Sequence, residues 1–403
     1  MARARARATS TITVRGFKFA GVACGIKKSR KKDLALIFSE RPATAAALFT
    51  TSQVKAAPVL VGMKRMRRGL IQAVVVNSGN ANACTGARGL KDAETMCREA
   101  ARHLRIEGGL VLPSSTGLIG APLPMEKIKV GIKKAARLLS RDSFAEAASA
   151  ICTTDHFVKV AARRCSLSGR RVVVAGMAKG AGMIAPNVAT MLAYVLTDAA
   201  VRPRGLRALL KRAVDETFNA VTVDGDMSTN DTVLFLANGA AGNPAVRPGS
   251  RGEKLLAEAT RKVMKDLAIK LVEDGEGATK VAEIAVAGAR SVAEARKIAF
   301  AVADSKLVKT AFFGCDPNFG RIMAAIGYAG VPVRPERINV AFNNVAVVKK
   351  GVGLPTSERA AARVLKRASF TVRINLGQGR SRASVWTSDL SHEYVRINSA
   401  YRT

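Results

Sequence analysis

Short apolar runs alternate along this 403-residue chain with longer amphipathic stretches. That alternation restricts the fold more than any other feature, because strands and helices that take turns belong to α/β architectures. LALIFS (34–39), AVVVNSG (73–79), MLAYVLTD (191–198) and TVLFLA (232–237) read as buried strands. KVAEIAVAGA (280–289), INVAFNN (338–344) and FTVRINLG (370–377) are further strand candidates, and the last alternates Phe370, Val372 and Ile374 toward one face. Residues 90–105 read as a helix. Behind Pro203, the positions Leu206, Leu209, Leu210, Ala213, Val214 and Phe218 recur at helical spacing. Leu255, Leu256, Ala259, Val263, Leu267 and Leu271 mark a second long helix that stops near Gly275, and 305–313 reads as a third with Ser305 as its N-cap. No internal repeat or low-complexity linker divides the chain. The expected fold class is α/β, with layered sheets and helices.

Composition narrows the function. Apolar residues make up 48%, enough for a sizeable core. No run of 18 apolar residues exists, so no transmembrane helix is expected. The basic arm MARARARAT (1–9) has no apolar segment behind it, only the strand-like TITVRGFKF (11–19), and is not a secretory signal. The six cysteines form no CxxC pair, and with three histidines no metal site is expected. Reduced thiols and a cytoplasmic protein follow. The net charge of +35 invites a nucleic-acid reading. Its basic runs, KKSRKK (27–32) and KRMRR (64–68), carry no interleaved aromatics and no known nucleic-acid motif. The charge reads better as a solvated face that steers anionic substrates.

Three local patterns invite other chemistry. DGDMSTND (224–231) holds three carboxylates but lacks the twelfth-position Glu of a calcium loop, so it reads as a structural turn. NSGNANACTG (77–86) lacks the Lys and the glycine spacing of a phosphate cradle and reads as a packed polar loop near the active site. Cys84 has no His close in sequence and is expected to be a small buried residue.

The segment AKGAGMIAPNVATML (178–192) reads as a self-cleavage junction between Ala189 and Thr190. A threonine hydroxyl is a weak nucleophile. If Thr190 becomes an N-terminus, its α-amine, with a pKa of about 7.7–8.0, can act as the general base. The local pattern also fits a β-branched residue that merely opens a buried strand. The wider pattern decides between them. Residues 178–199 resemble the ornithine acetyltransferase (glutamate N-acetyltransferase) family, in which an Ala-Thr-Met-Leu junction is autoprocessed. The resemblance extends through NSGNANACTG (77–86), SSTGLIGAPLP (114–124), CTTD (152–155), DGDMSTNDT (224–232), EDGEGATK (273–280), CDPNFGRI (315–322) and INSAYRT (397–403).

The resemblance implies a fold of layered sheets and helices, like the N-terminal-nucleophile arrangement of the ornithine acetyltransferase and aminopeptidase group. It implies that Thr190 takes acetyl from N-acetylornithine and passes it to glutamate, in arginine biosynthesis and without a cofactor. Acetyl-CoA as a second donor stays open. Fragments 1–189 and 190–403 would remain together, two of each in the assembly. The oxyanion role falls on Thr116 and Gly117. Substrate binding falls on Thr153, Lys179, Thr190, Glu276, Asn398 and Thr403. Charge supports two of these: Lys179 suits a carboxylate and Glu276, between two glycines, suits an ammonium. By local pattern alone each could be a solvated loop charge. The tail reads Tyr-Arg-Thr where the family is associated with Tyr-Thr-Thr or Tyr-Ser-Ser, so Arg402 is a departure. The alternatives are an aminopeptidase of related fold and a basic nucleic-acid-binding protein.

Overall fold

A computed structural model describes residues 12–185 and 191–400. Strands β1 (Phe17–Val22), β2 (Leu34–Phe49), β3 (Leu70–Asn80), β4 (Val111–Leu118), β5 (Lys159–Leu167), β6 (Arg170–Lys179), β7 (Leu192–Thr197) and β9 (Thr232–Ala237) form one sheet, in the order β4-β3-β2-β9-β7-β6-β5 with β1 on β2. The second sheet takes β8 (Val221–Thr222), β10 (Val281–Ala289), β11 (Asn339–Phe342), β12 (Val345–Lys349), β13 (Val352–Gly353), β14 (Ser369–Asn375) and β15 (Ser381–Ser388), in the order β13-β12-β11-β14-β10-β15-β8.

The continuous apolar runs sit at the centre of the first sheet because both of its faces are covered. On β7 and β9, Ala193, Val195, Val233 and Phe235 face one layer, while Leu192, Tyr194, Leu234 and Leu236 face the other. The first of those layers is the helix pair Pro203–Glu216 and Arg251–Glu273. Trp386 and Val281 of the second sheet pack on the same cluster, so these helices lie between the sheets. The far face of the second sheet is closed by the helix Val292–Ala303 and its neighbours. Alternation of sheets and helices in layers is the α/β class expected from the pattern. No helix among the described residues is long and apolar enough to cross a membrane.

Helix Arg251–Glu273 starts on Ser250, whose side chain accepts the Glu253 N–H, and buries Leu256, Ala259, Val263, Leu267 and Leu271; Leu255 faces out instead. Ser305 caps Lys306–Phe313 by accepting the Val308 N–H, as expected. The strand expected across 11–19 begins only at Phe17. Gly16, at φ +73°, turns the chain first, and the Phe17 N–H closes that turn on the Val14 carbonyl at 3.1 Å. All six cysteines are free. Cys84 is exposed, against expectation: at φ +56° it rides the outside of a turn whose polar neighbours, Asn80 and Asn82, take the buried places.

Candidate active site

The parallel pairing of β3 with β4 breaks at Gly79 and Asn80, opposite Thr116 and Gly117. Gly117 sits at φ +129°, and a Cβ there would stand 2.4 Å from the Gly79 carbonyl carbon and 2.6 Å from the Asn80 nitrogen. Only glycine allows that approach. Polar side chains hold the strand end in place. Ser115 donates to Asn77 Oδ1 at 2.6 Å, and Asn230 Nδ2 donates to the Ala81 and Ser115 carbonyls at 2.6 and 2.8 Å. The NSGNANACTG segment is thus the packed polar loop expected, and the Asp-rich segment bonds across to it.

Lys179 ends β6 and is only 5% exposed. Its Nζ donates to Thr116 Oγ1 at 3.1 Å, which brings the expected substrate lysine to the expected oxyanion threonine. A buried ionic cluster supports this corner. Asp155 accepts the Gly180 N–H at 2.8 Å, the Thr153 N–H at 2.8 Å and Lys159 Nζ at 2.6 Å. Lys159 also bonds Asp274, which accepts the His156 N–H at 3.1 Å. Burial pushes the Asp155 carboxyl up, but Lys159, Lys179 and the Gly180 N–H outweigh it and hold the group down at about 2. Lys159 stays charged for the mirror reason: burial opposes its charge, and Asp155 and Asp274 restore it.

Glu276 follows the long helix in a tight turn. Its N–H bonds the Ala181 carbonyl at 2.9 Å, and its carboxylate lies over Gly182, where a Cβ would stand 2.5 Å from Oε2. Asn398 Nδ2 donates to that same Oε2 at 2.9 Å. Asn398 and Tyr394 lie one turn apart on the helix His392–Ala400, so both reach inward from one side. The Tyr394 hydroxyl donates to Asp224 Oδ2 at 3.3 Å. Asp224 also accepts the Met183 and Ile184 N–H groups at 2.6 and 2.8 Å. Burial nevertheless leaves its carboxyl raised to about 6.

Thr116, Gly117, Thr153, Lys179, Glu276 and Asn398 therefore line one cavity. Among its described lining residues, one lysine faces three carboxylates: Asp224, Asp226 and Glu276. Such a cavity can hold a zwitterion, carboxylate toward Lys179 and ammonium toward the acids. Ala189, Thr190, Arg402 and Thr403 lie outside the described residues. The residue after Thr190 is placed: Met191 donates its N–H to Asp231 Oδ1 at 3.1 Å, and Leu192 pairs with Lys179. Asp155, Lys159, Asp274 and Tyr394 were not anticipated. Asp155 and Asp274 lie in the blocks CTTD and EDGEGATK, but Asp274 meets Lys159 across 115 residues of sequence, which leaves no local signal.

Residues 18–403 match the ArgJ family. The chain belongs to that family. The ArgJ protein of Geobacter sulfurreducens, named an arginine biosynthesis bifunctional protein, is 51% identical over 97% of this chain and 100% of its own length. A crystal structure of ArgJ from Bacillus halodurans is 39% identical, with a TM-score of 0.50 over 52% of this chain and 98% of its own. The ornithine acetyltransferase of Mycobacterium tuberculosis, solved with ornithine, is 37% identical, with a TM-score of 0.40 over 46% of this chain and 97% of its own.

Proposed function

We propose that this ArgJ-family chain is an ornithine acetyltransferase of arginine biosynthesis that works through an acetyl-Thr190 intermediate. The observation that carries the reading is the shared cavity of Lys179, Glu276, Asn398 and the Thr116–Gly117 strand end. The Thr190 Oγ attacks the Ala189 carbonyl, the acyl group shifts from nitrogen to oxygen, and water hydrolyses the resulting ester, which leaves Ala189 as a carboxylate and Thr190 with a free α-amine. Its Oγ then attacks the acetyl carbonyl of N-acetylornithine, and the amine takes the hydroxyl proton. The Thr116 hydroxyl and the Gly117 N–H receive the oxyanion; one such donor is worth about 2.7–4 kcal/mol in comparable enzymes. As the C–N bond breaks, the proton passes to the departing nitrogen and ornithine leaves. Glutamate enters, its amine attacks the ester, and the steps run in reverse.

Lys179 has three N–H donors. One bonds Thr116, which leaves others for the α-carboxylate that both substrates carry. Glu276 takes the ornithine ammonium, with Asn398 orienting its carboxylate. Thr153 and the C-terminal Thr403 complete the substrate contacts. Fragments 1–189 and 190–403 stay associated because β6 and β7 pair across the junction, and two of each assemble in the cytoplasm. Acetyl-CoA is a second donor of acetyl to glutamate, in keeping with relatives named bifunctional.

Intact mass on a denaturing gel tests the cut, and two fragments meeting at Ala189/Thr190 are expected. Brief exposure to N-acetylornithine alone should add one acetyl group to fragment 190–403, with ping-pong kinetics when glutamate is present. Thr190→Ala should give a full-length chain without transfer. A Thr190→Ala chain that still splits at this bond would sink the reading.

A further inference from the structure

Helix Lys306–Phe313 buries a lysine to which the mechanism above gives no task. Val308, Ala311 and Phe312 are apolar, as the buried face of a helix should be, yet Lys309 on that face is only 3% exposed. Lysines are almost never buried so deeply unless something holds the charge. The Lys309 Nζ donates to Thr387 Oγ1 at 2.9 Å, to Ser388 Oγ at 3.3 Å and to the Ser388 carbonyl. These bonds engage all three of its N–H donors, and each ends on an uncharged oxygen at the end of β15. The Lys309 carbonyl accepts the Leu390 N–H at 3.2 Å. Side chain and backbone of one residue thus grip the chain on both sides of Asp389. Three carboxylates act on the ammonium through their fields: Asp304 at the end of helix Val292–Ala303, Asp389, and Asp224 on the cavity wall. Lys280 Nζ lies 3.9 Å from Asp389 Oδ2, and the Thr222 hydroxyl donates to Asp304 Oδ1 at 2.6 Å.

The gripped segment carries the acidic side of the cavity. Asp389 Oδ1 accepts the Thr279 and Lys280 N–H groups at 2.8 and 3.0 Å, and its Oδ2 accepts the Thr279 hydroxyl. Ser391 Oγ donates to the Gly277 carbonyl at 2.6 Å. Those contacts fix the turn that follows Glu276. The helix His392–Ala400, with Tyr394 and Asn398 toward the cavity, starts at the next residue. An apolar side chain would fill the place of Lys309 without a buried charge, so stability alone does not account for the lysine. We propose that Lys309 is a positioning residue for the ammonium end of the substrate: it pins segment 387–391 and, through Asp389 and Ser391, sets the Glu276 turn and the helix that presents Asn398. The proposal rests on the reading of Glu276 as the ammonium partner. Lys179 and the Thr116–Gly117 strand end belong to the other sheet, so the carboxylate end and the oxyanion site are anchored elsewhere.

Lys309→Met keeps the apolar stem and removes the charge. Expected are a kcat/KM for N-acetylornithine at least about tenfold lower, carried by KM, and a value for glutamate within about threefold of wild type. Equal losses for both substrates, or no loss, overturn the proposal, because a lysine that only supports the fold does not tell one substrate from the other. Should Lys309→Met fail to fold, the pH profile decides. Burial lowers the Lys309 ammonium to about 8 against the pull of its three carboxylates. Wild-type KM for N-acetylornithine should therefore rise about threefold between roughly pH 7 and 9, a range in which the substrate's own ammonium, with a lysine-like value of about 10.4, stays charged. Asp224, at about 6, ionises below that range. Lys309→Arg holds its charge throughout and should show a flat KM, while the Thr190 amine is common to both enzymes. A wild-type KM that stays flat, or a Lys309→Arg KM that climbs in parallel, overturns the proposal. Glu276→Gln, run alongside, keeps the two ideas apart: an unimpaired Glu276→Gln removes the ammonium-site reading and this proposal with it, whereas a silent Lys309→Met beside an impaired Glu276→Gln overturns the proposal alone.

Discussion

The two sheets bury different chemistry. In the second, the strands β10, β11, β14 and β15 contribute Ile284, Val340, Phe342, Val372, Ile374 and Val385 to an apolar core, with Phe312 edge-on to Phe370 at 5.1 Å. Its buried polar residues Thr387, Ser388 and Asp389 collect at one strand end, where Asp389 accepts the Thr279 and Lys280 N–H groups just beyond Glu276. In the first sheet, Asn77, Ser115, Thr116, Lys179 and Asp231 are buried at the end that meets the cavity. Buried polar groups cost free energy unless they are bonded, so they survive where they are used. Apolar strands thus hold the molecule, and a separate polar rim between the two sheet ends lines the cavity to which the chemistry is assigned above.

The sharpest test of that separation is Lys159→Met. It leaves Asp155 and Asp274 buried without their cation. Breaking one partner of a buried pair costs about 3–5 kcal/mol. In the wild type, the contribution of Asp155 is complete above the unfolded carboxylate value of about 3.9 and is lost as pH falls through about 2, because its folded pKa is depressed. Lys159→Met should therefore unfold in denaturant far earlier than wild type, and its acid unfolding should begin at a higher pH. Transfer should fall too, since Thr153 and Gly180 hang on Asp155. An undiminished midpoint in both titrations would contradict the picture of a supported rim.

Phe370→Ala makes the opposite cut. It removes a ring packed on Phe312 and Phe342, at about 3 kcal/mol or somewhat more. The molecules that remain folded should keep kcat and KM within twofold, by active-site titration of the acetylated fragment. A large loss of kcat per active site would show that the apolar sheet is coupled to the chemistry after all.

The same contrast explains what could be read from the chain. TVLFLA (232–237) is β9 to the residue, because a strand buried on both faces is apolar throughout. The hairpin of β5 and β6 went unread, since β5 carries Arg163 and Arg164 outward and Lys159 inward, which spoils both the apolar run and the alternation. A lysine in a polar stretch reads as solvated, and only tertiary placement beside Asp155 and Asp274 buries Lys159. Lys179 and Glu276 stand out as candidates only because neighbouring blocks resemble a family. By residue type alone they too were loop charges. The Glu276 turn depends on contacts invisible in sequence, such as Gly182 beneath its carboxylate.

Within the rim, Glu276→Gln separates the two substrates. The carboxylate should attract the ornithine ammonium and repel the side chain of glutamate. A hydrogen-bonded charge pair is worth about 1.5–3 kcal/mol, so kcat/KM for N-acetylornithine should drop tenfold or more. Glutamate should lose much less. Equal losses for both would assign Glu276 a general organising role through Asn398 instead.

The smallest expected effect comes from Asp224. Burial raises its carboxyl to about 6, so it loses its charge as pH falls through mildly acid values. Ionised, it accepts the Met183 and Ile184 N–H groups and holds Met183 at φ +59°, a conformation that a side chain seldom adopts unaided. That segment continues from Ala181 and Gly182, which contact Glu276. Protonation weakens one acceptor, a change of about 0.5–1.5 kcal/mol, which converts to roughly two- to tenfold in affinity. The KM for N-acetylornithine should rise by that factor as pH falls from 7.5 to 5. On the mechanism proposed above, a loss of kcat over the same range would report the Thr190 amine and is a separate matter. Asp224→Asn, which cannot titrate, should show a higher KM that stays flat across those pH values. A wild-type KM that does not change down to pH 5, or an Asp224→Asn KM that climbs in parallel with it, would remove Asp224 from the set of groups that hold the cavity wall.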